Sequence, residues 1–269
     1  MCKALNVSRS GYYAFLTRPE SKRSVKNKQL LETIRRIHRE THEIYGSPRI
    51  TESLPKNEKA SRGRVARIMR ENGIRSRTVK KYKATTNSKH NLPVADNLLN
   101  RDFTAQKPNE KWVTDITYIS TEEGWLYLAG VLDLYGRRLI GWAMDSRMKT
   151  ELVCAALKQA IGRTGAKSGV LVHSDRGVQY ASDAYQRLLK AHRFICSMSR
   201  KGNCYDNAPM ESFWGKLKTE WLNGRKFKTR AEAMKTIFDY IELFYNRKRI
   251  HSYNGYLPPL EYDILSCSA

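Results

Sequence analysis

The chain predicts an α/β fold: a mixed five-stranded sheet with flanking helices, preceded by a small all-α region. Three observations carry this. Between Trp112 and Asp145, three strand-like apolar stretches are joined only by short turns, the mark of an antiparallel meander. Beyond Thr150, stripes with helical spacing alternate with short apolar runs, as in a sheet layered with helices. Ahead of residue 77 only helical stripes occur.

Residues 1–21 read as a short helix, a turn and a second helix capped by Ser8 or Ser10, an N-terminal arm or remnant helical segment too short for a complete domain. Residues 22–76 hold three helices. Val25–Thr41 carries the stripe Leu30, Leu31, Ile34, Ile37. Gly46 ends this helix, Ser47 caps the next and Pro48 fits its first turn. Ser61 caps the third, which runs to about Asn72 with Gly73 as its stop. Its apolar face is Val65, Ile68 and Met69, and Arg62, Arg64, Arg67 and Arg70 lie on its other faces. Such a unit suits a helix-turn-helix-like DNA-binding domain; a small bundle with a solvated basic face is the plain alternative. In residues 77–107 periodicity is lost and basic residues dominate at first, which reads as a linker able to lie along phosphates.

The domain 108–265 follows. Strands are expected at Trp112–Ser120, Gly124–Asp133, Arg137–Asp145, Val170–His173 and Phe194–Met198. Helices are expected at Thr150–Arg163, Ser182–His192, Pro209–Leu222 and Arg230–Tyr245. Asp115 then sits within the first strand, Asp175 just past the fourth, and Glu211 on the helix opened by Pro209.

Charge points to the partner. The chain has 269 residues with 49 Lys+Arg against 26 Asp+Glu, a net of +23, and so large an excess calls for a polyanion, nucleic acid by default. Residues 1–110 hold 25 basic and 10 acidic side chains, net +15, and the remainder nets +8. Five cysteines without a CxxC pair fit a reducing cytoplasm. His38 and His42 have no CxxC after them and read as helix-surface histidines, not zinc ligands. No apolar run approaches the roughly 20 residues of a membrane span.

Three strings carry the chemistry: KWVTDITYI, LVHSDRGVQY and NAPMESFWGKLK. Each sets one carboxylate in structured surroundings, and thirty-five residues lie between Asp175 and Glu211. Any one of these acids alone is ordinary; the three together suit two hard divalent cations that activate a nucleophile and steady the leaving oxygen of a phosphodiester. The spacing and flanks resemble the DDE core of transposases and retroviral integrases. The strings YGSPRI, Asn97-Leu98-Leu99-Asn100-Arg101-Asp102-Phe103 and Gly255-Tyr256-Leu257-Pro258-Pro259 bring the whole chain close to the insertion-sequence-three family of bacterial transposases, in its second-reading-frame (OrfB) form. Pro258 stands where that family usually has Ser or Thr.

The resemblance implies a ribonuclease H-like, integrase-type catalytic core, with Asp115, Asp175 and Glu211 catalytic and holding two Mg²⁺ or Mn²⁺ ions. It implies cleavage at the ends of an insertion sequence, followed by attack of the freed 3′-hydroxyl on another phosphodiester. Partners would be terminal inverted repeats and target DNA, with a homo-oligomer on DNA and fusion to an upstream-frame product. Lys218, two helical turns beyond Glu211, is placed as a phosphate contact, and Arg176, Gln179, Tyr180, Arg247 and Arg249 as further DNA contacts. Asp206 is read as a loop or helix-start residue in preference to a metal ligand. Two other functions share much of this pattern: a non-catalytic regulator that binds DNA, and a ribonuclease H-like nuclease without joining activity.

Overall fold

The computed structural model describes residue 2 and residues 4–77, 93–200 and 204–267. It divides into two compact units, Met1–Arg77 and Thr78–Ala269.

In the first unit α1 spans Arg9–Thr17, its N-terminus capped by Ser8, whose side chain accepts from the Gly11 N–H; it buries no residue. Helix α2, Lys22–Glu40, is capped by Ser21 and buries Leu30, Thr33, Ile34 and Ile37. Helix α3, Ser47–Glu52, has Gly46 at its cap, so Ser47 lies one residue inside the place expected for it. Helix α4, Arg62–Glu71, is capped by Ser61 Oγ, which accepts from the Arg64 N–H. Val65, Ile68 and Met69 of α4 are buried, and each such side chain contributes about 1.5–3 kcal/mol when fully buried.

The second unit is a five-stranded sheet in the order β3-β2-β1-β4-β5. Strands β1 (Lys111–Thr121), β2 (Gly124–Asp133) and β3 (Leu139–Asp145) form the antiparallel meander. Strands β4 (Leu171–Ser174) and β5 (Ile195–Met198) continue it in parallel, β4 against β1. Strand β1 is therefore central. Helices α5 (Thr150–Thr164), α6 (Val178–Ala181) and α7 (Asp183–Ala191) follow in sequence. They enclose a cluster that includes Trp112, Ala129, Val131, Leu157, Val172, Tyr185 and Leu189. Helices α8 (Ala208–Lys216) and α9 (Arg230–Phe238) pack against β1 and β2, and α10 (Pro259–Cys267) ends the unit.

The two long helices expected here each change winding. Helix α8 passes into a π turn over Leu217–Leu222, and α9 into another over Asp239–Tyr245. These turns bury Leu217, Glu220, Trp221 and Leu222 in the first and Tyr240, Ile241, Phe244 and Tyr245 in the second. Phe213, Trp221, Tyr240, Phe244 and Tyr245 stack there with centroids 4.6–6.3 Å apart. Between them Arg249 pairs with Glu220 through Nε at 2.7 Å and through its second nitrogen, and Tyr240 Oη donates to Glu220 at 3.0 Å.

Of the segment expected to be a linker, Arg77 belongs to the first unit, residues 78–92 lie outside the described residues, and residues 93–107 belong to the folded second unit. Met198 N–H donates to the Asp96 carbonyl at 3.2 Å, and the Leu98 and Leu99 N–H groups donate to Ser197 Oγ at 2.9 and 3.2 Å. Leu99 is buried at 2% exposure. An apolar anchor, one backbone–backbone hydrogen bond and two N–H bonds to the Ser197 hydroxyl hold this stretch along β5, where the sequence suggested an arm for phosphates.

Candidate active site

The three acids come from three elements that the central strand gathers. Asp115 lies opposite Gly130 in the β1–β2 pairing. A Cβ at Gly130 would stand 2.8 Å from Trp214 Cη2 and 3.2 Å from Met210 Cε. The missing side chain thus lets the indole of α8 lie on the sheet, and Trp214 Nε1 donates to Asp115 Oδ2 at 3.1 Å. Asn207, at the cap of α8, donates from Nδ2 to the Thr114 carbonyl at 3.0 Å. These two bonds tie both ends of the first helical turns to β1 around Asp115, and Glu211 falls in that first turn.

Asp175 directly follows β4. Its Oδ1 accepts from the Gly177 N–H at 2.9 Å, which folds the turn back on the carboxylate. A Cβ at Gly177 would meet that same oxygen at 3.0 Å. Beneath the turn His173 is fully buried between two serines. Ser197 Oγ already accepts two backbone N–H groups, so its own proton goes to His173 Nδ1 at 2.8 Å. His173 Nε2 is then the protonated nitrogen and donates to Ser199 Oγ at 3.1 Å, which donates to the Ser174 carbonyl at 3.3 Å. Burial holds the His173 pKa down at about 4, which keeps the ring neutral.

Asp115 is the electrostatic centre. Burial raises its pKa well above the usual carboxylate range, and the charges of Asp175 and then Glu211 raise it further, against the opposing pull of the Ile116 N–H and Trp214. The Glu211 carboxyl is raised by desolvation. Lys218 is pulled below its ordinary value by burial, with Tyr118 and Asp115 acting the other way. Its ammonium lies 5.1 Å from the Tyr118 ring centroid. The π turn has not removed Lys218 from the Asp115 side of the helix. Among the described residues no group of three His, Cys, Asp or Glu side chains stands close enough together to hold a metal ion as it is arranged here. Carboxylates are the oxygen donors that hard divalent cations take, and a dication would offset the charge that Asp175 and Glu211 place on Asp115.

Asp206, read as a loop residue, is a buried anchor. Its Oδ2 accepts from Asn97 Nδ2 at 2.9 Å, and its Oδ1 from Arg101 Nε at 3.0 Å and an Arg200 guanidinium nitrogen at 3.0 Å. The Arg200 hydrogen bonds hold its carboxyl far below the usual range. The Asn-x-Leu-x-Arg string therefore clamps the loop that leads into α8.

Other expected DNA contacts fare differently. Arg249 is 1% exposed and bound to Glu220, so it is a structural cation and not a DNA contact. Tyr180 is buried against Thr114, their hydroxyls 3.2 Å apart. Gln179 is buried and donates to the Met148 carbonyl at 3.1 Å. Both belong to the one-turn helix α6, which packs inward. Arg176 donates through Nε to the Ser199 carbonyl at 2.6 Å and stays partly exposed, and Arg247 is exposed. In the first unit Arg62 and Arg70 are exposed, and Arg67 lies 3.8 Å from Glu71. Arg64 grips Asn27 Oδ1 with two nitrogens at 3.0 and 2.8 Å. An open cleft there is lined by Arg23, Ser61, Gly63, Arg64 and Arg67. Trp214, Asn207 and the Ser–His–Ser relay escaped the sequence reading. The signal for Trp214 was present: it stands three residues after Glu211, on the same helix face.

Residues 105–204 and 211–266 match models of the integrase core domain, and residues 26–82 match an HTH-like domain. The chain is 46% identical over 260 residues to the insertion element IS600 uncharacterized 31 kDa protein of Shigella sonnei, 96% of either chain being covered. It is 43% identical over 270 residues to transposase InsF for insertion sequence IS3A of Escherichia coli (strain K12), covering 98% of this chain and 92% of the relative. Among solved structures, a chain of the simian T-cell lymphotropic virus intasome in complex with PP2A regulatory subunit B56 gamma shares the fold. Its TM-score is 0.50 at 16% identity, with 85% of this chain and 73% of that one covered. A five-stranded integrase-type sheet, an HTH-like helical unit ahead of it in sequence and 43% identity to InsF over 98% of the chain together place it in the family of IS3 transposases.

Proposed function

We propose that Asp115, Asp175 and Glu211 form the catalytic centre of this transposase and hold two divalent cations, Mg²⁺ or Mn²⁺, when it acts on the ends of its element. The observation that carries the reading is the geometry around Asp115: Trp214 and Asn207 hold α8, with Glu211 in its first turn, against β1, and Asp175 follows β4, the parallel neighbour of β1. When bound, such cations supply Lewis-acid activation of a water or hydroxyl and charge neutralisation at the phosphorus centre. The chain's own residues do the rest. Trp214 and the Ile116 N–H fix the Asp115 carboxylate, and the Gly177 N–H fixes that of Asp175. Asn207 sets the start of α8, and with it Glu211, against β1. Lys218 supplies a fixed positive charge beside Asp115 for a phosphate of the DNA end. No covalent link between protein and DNA is needed, because water and then the 3′-hydroxyl act in turn as nucleophiles. The exposed arginines of α4 and the Arg23–Arg67 cleft contact duplex phosphates. Bringing two element ends together calls for more than one copy on DNA, with or without an upstream-frame fusion, in the cytoplasm of the cell that carries the element.

The test uses a labelled duplex bearing the element's terminal repeat with a free 3′-hydroxyl, and an unlabelled target. Joined product with Mg²⁺ or Mn²⁺, lost with chelator, is the expected result. Cleavage without joined product favours a nuclease, and tight binding without any chemistry favours a regulator.

A further inference from the structure

The hairpin tip between β1 and β2 has a surface that the reaction as described leaves unused. Trp125 is 50% exposed, unusual for the largest apolar side chain in a sheet. It meets the half-buried Tyr118 edge to face, with ring centroids 4.9 Å apart. Tyr118 in turn carries the Lys218 ammonium 5.1 Å from its centroid. A path of two aromatic rings and one cation thus runs from the exposed Trp125 to Lys218, in the π turn that continues the helix of Glu211.

The neighbouring chain is basic and is fastened to this tip. Glu122 N–H donates to the Phe227 carbonyl at 2.9 Å. Arg230 Nε donates to the Trp125 carbonyl at 3.0 Å, and the Arg230 N–H to Glu123 Oε2 at 2.8 Å. Arg225 and Lys226, just ahead of the Phe227 anchor, and Lys228, between Phe227 and Arg230, are all exposed. Glu122 and Glu123 are the acids of the turn, and Glu123 is occupied by the start of α9. A protruding aromatic face flanked by exposed cations is the pairing that binds single-stranded nucleic acid: cations track the phosphates and the rings stack on bases without reading them.

We propose that Trp125 and Tyr118 form a shelf that stacks an unpaired base of the DNA end, with Arg225, Lys226 and Lys228 on its backbone and Lys218 bridging the shelf to the catalytic acids. The inference rests on the reading of the site as one that acts on DNA ends, and it names the form of the substrate: an end with frayed or single-stranded bases. A duplex end held this way has its terminal strand splayed before the scissile phosphate reaches Asp115.

The experiment uses the full chain in the presence of chelator and two duplexes of the terminal repeat. One is blunt and the other carries a short single-stranded tail containing 2-aminopurine. Wild type quenches the 2-aminopurine fluorescence on binding and prefers the tailed duplex. Trp125→Ala weakens tailed binding by about 5- to 100-fold and abolishes the quench, and blunt binding changes by less than about twofold. Trp125→Phe, which keeps a ring, retains most of the tailed affinity and guards against a folding artefact. Tailed binding and quench unchanged in Trp125→Ala overturn the proposal, and so does equal loss on both duplexes. Joining by wild type on a pre-cleaved end is measured alongside. Joining with a neutral Trp125→Ala refutes the shelf and leaves the catalytic reading intact. A Trp125-dependent quench in a protein that never joins DNA supports the shelf and refutes the catalytic reading.

Discussion

Gly130→Ala tests whether the packing of α8 on the sheet sets the catalytic geometry. A Cβ there stands 2.8 Å from Trp214 Cη2, 3.2 Å from Leu139 Cδ1 and 3.2 Å from Met210 Cε. The closest of these contacts lies below any normal carbon–carbon approach, so the indole has to move by a few tenths of an ångström or more. Overpacking of this kind costs about 1–3 kcal/mol of stability. The indole also carries the hydrogen bond to Asp115 and lies three residues beyond Glu211. Its displacement therefore shifts two of the three carboxylates relative to each other, and a misplacement near 1 Å is worth about 100-fold in rate. The expected result is a folded protein, somewhat less stable, with joining reduced by about 10- to 100-fold and DNA affinity unchanged. Trp214→Phe separates the two causes. It keeps most of the packing but removes the N–H donor to a carboxylate, an interaction of about 1.5–3 kcal/mol. Joining is measured on a pre-cleaved end, stability by denaturant unfolding. Gly130→Ala joining within threefold of wild type would refute the argument that α8 is seated through this contact.

Three further outcomes follow from the same geometry. Arg249→Met leaves Glu220 buried without its cation and lowers stability by about 3–5 kcal/mol, whereas the double change with Glu220→Leu recovers most of it; a change in the salt slope of DNA binding without loss of stability would return Arg249 to the DNA contacts. Asp133 accepts from the Asn109 and Tyr135 N–H groups, and burial raises its pKa from 3.8 to about 6. A raised carboxyl binds its proton more tightly in the folded state, so its contribution to stability is full below pH 3.8 and is lost as pH rises through 6. Relative to wild type, Asp133→Asn should therefore gain up to about 3 kcal/mol between pH 4 and pH 7, and a pH-independent difference would refute the shift. A fragment of residues 1–77, one of the two compact units, should bind duplex DNA with a steep salt dependence, each neutralised phosphate adding roughly −0.9 to the slope of log K; absence of binding at low salt would return α4 to a solvated basic face.

Much of the fold was legible because it is local. Alternation and short turns in 112–145 give the β1–β2–β3 meander, and Ser61 and Gly73 bracket a helix that forms where those residues predict, whereas α2 begins at Lys22, three residues ahead of the expected Val25. What the sequence hid is non-local or reverses an ordinary signal. The central place of β1 depends on its parallel pairing with β4, some sixty residues away. Arg249 sits in a string, Asn246-Arg247-Lys248-Arg249, that reads as a basic surface, and only the π turn that carries Glu220 inward makes it a core residue. Gln179 and Tyr180 lie four and five residues past Asp175 and read as DNA contacts, yet a four-residue helix turns them under Met148 and Thr114. The three acids could be picked out by their flanking strings. The indole, asparagine and serine groups that hold them could not, because each acts across a gap of more than twenty residues.

The central claim is that the three carboxylates serve as cation ligands, and calorimetric titration of Mn²⁺ into wild type, Asp175→Asn and Glu211→Gln, with joining measured on the same preparations, tests it most directly. Each amide keeps the shape of the side chain and loses the charge that a hard cation requires. The account predicts weakened Mn²⁺ binding, loss of joining and unchanged DNA affinity in both variants. Joining at near wild-type rate by either one, or loss of joining with Mn²⁺ binding intact, would contradict it.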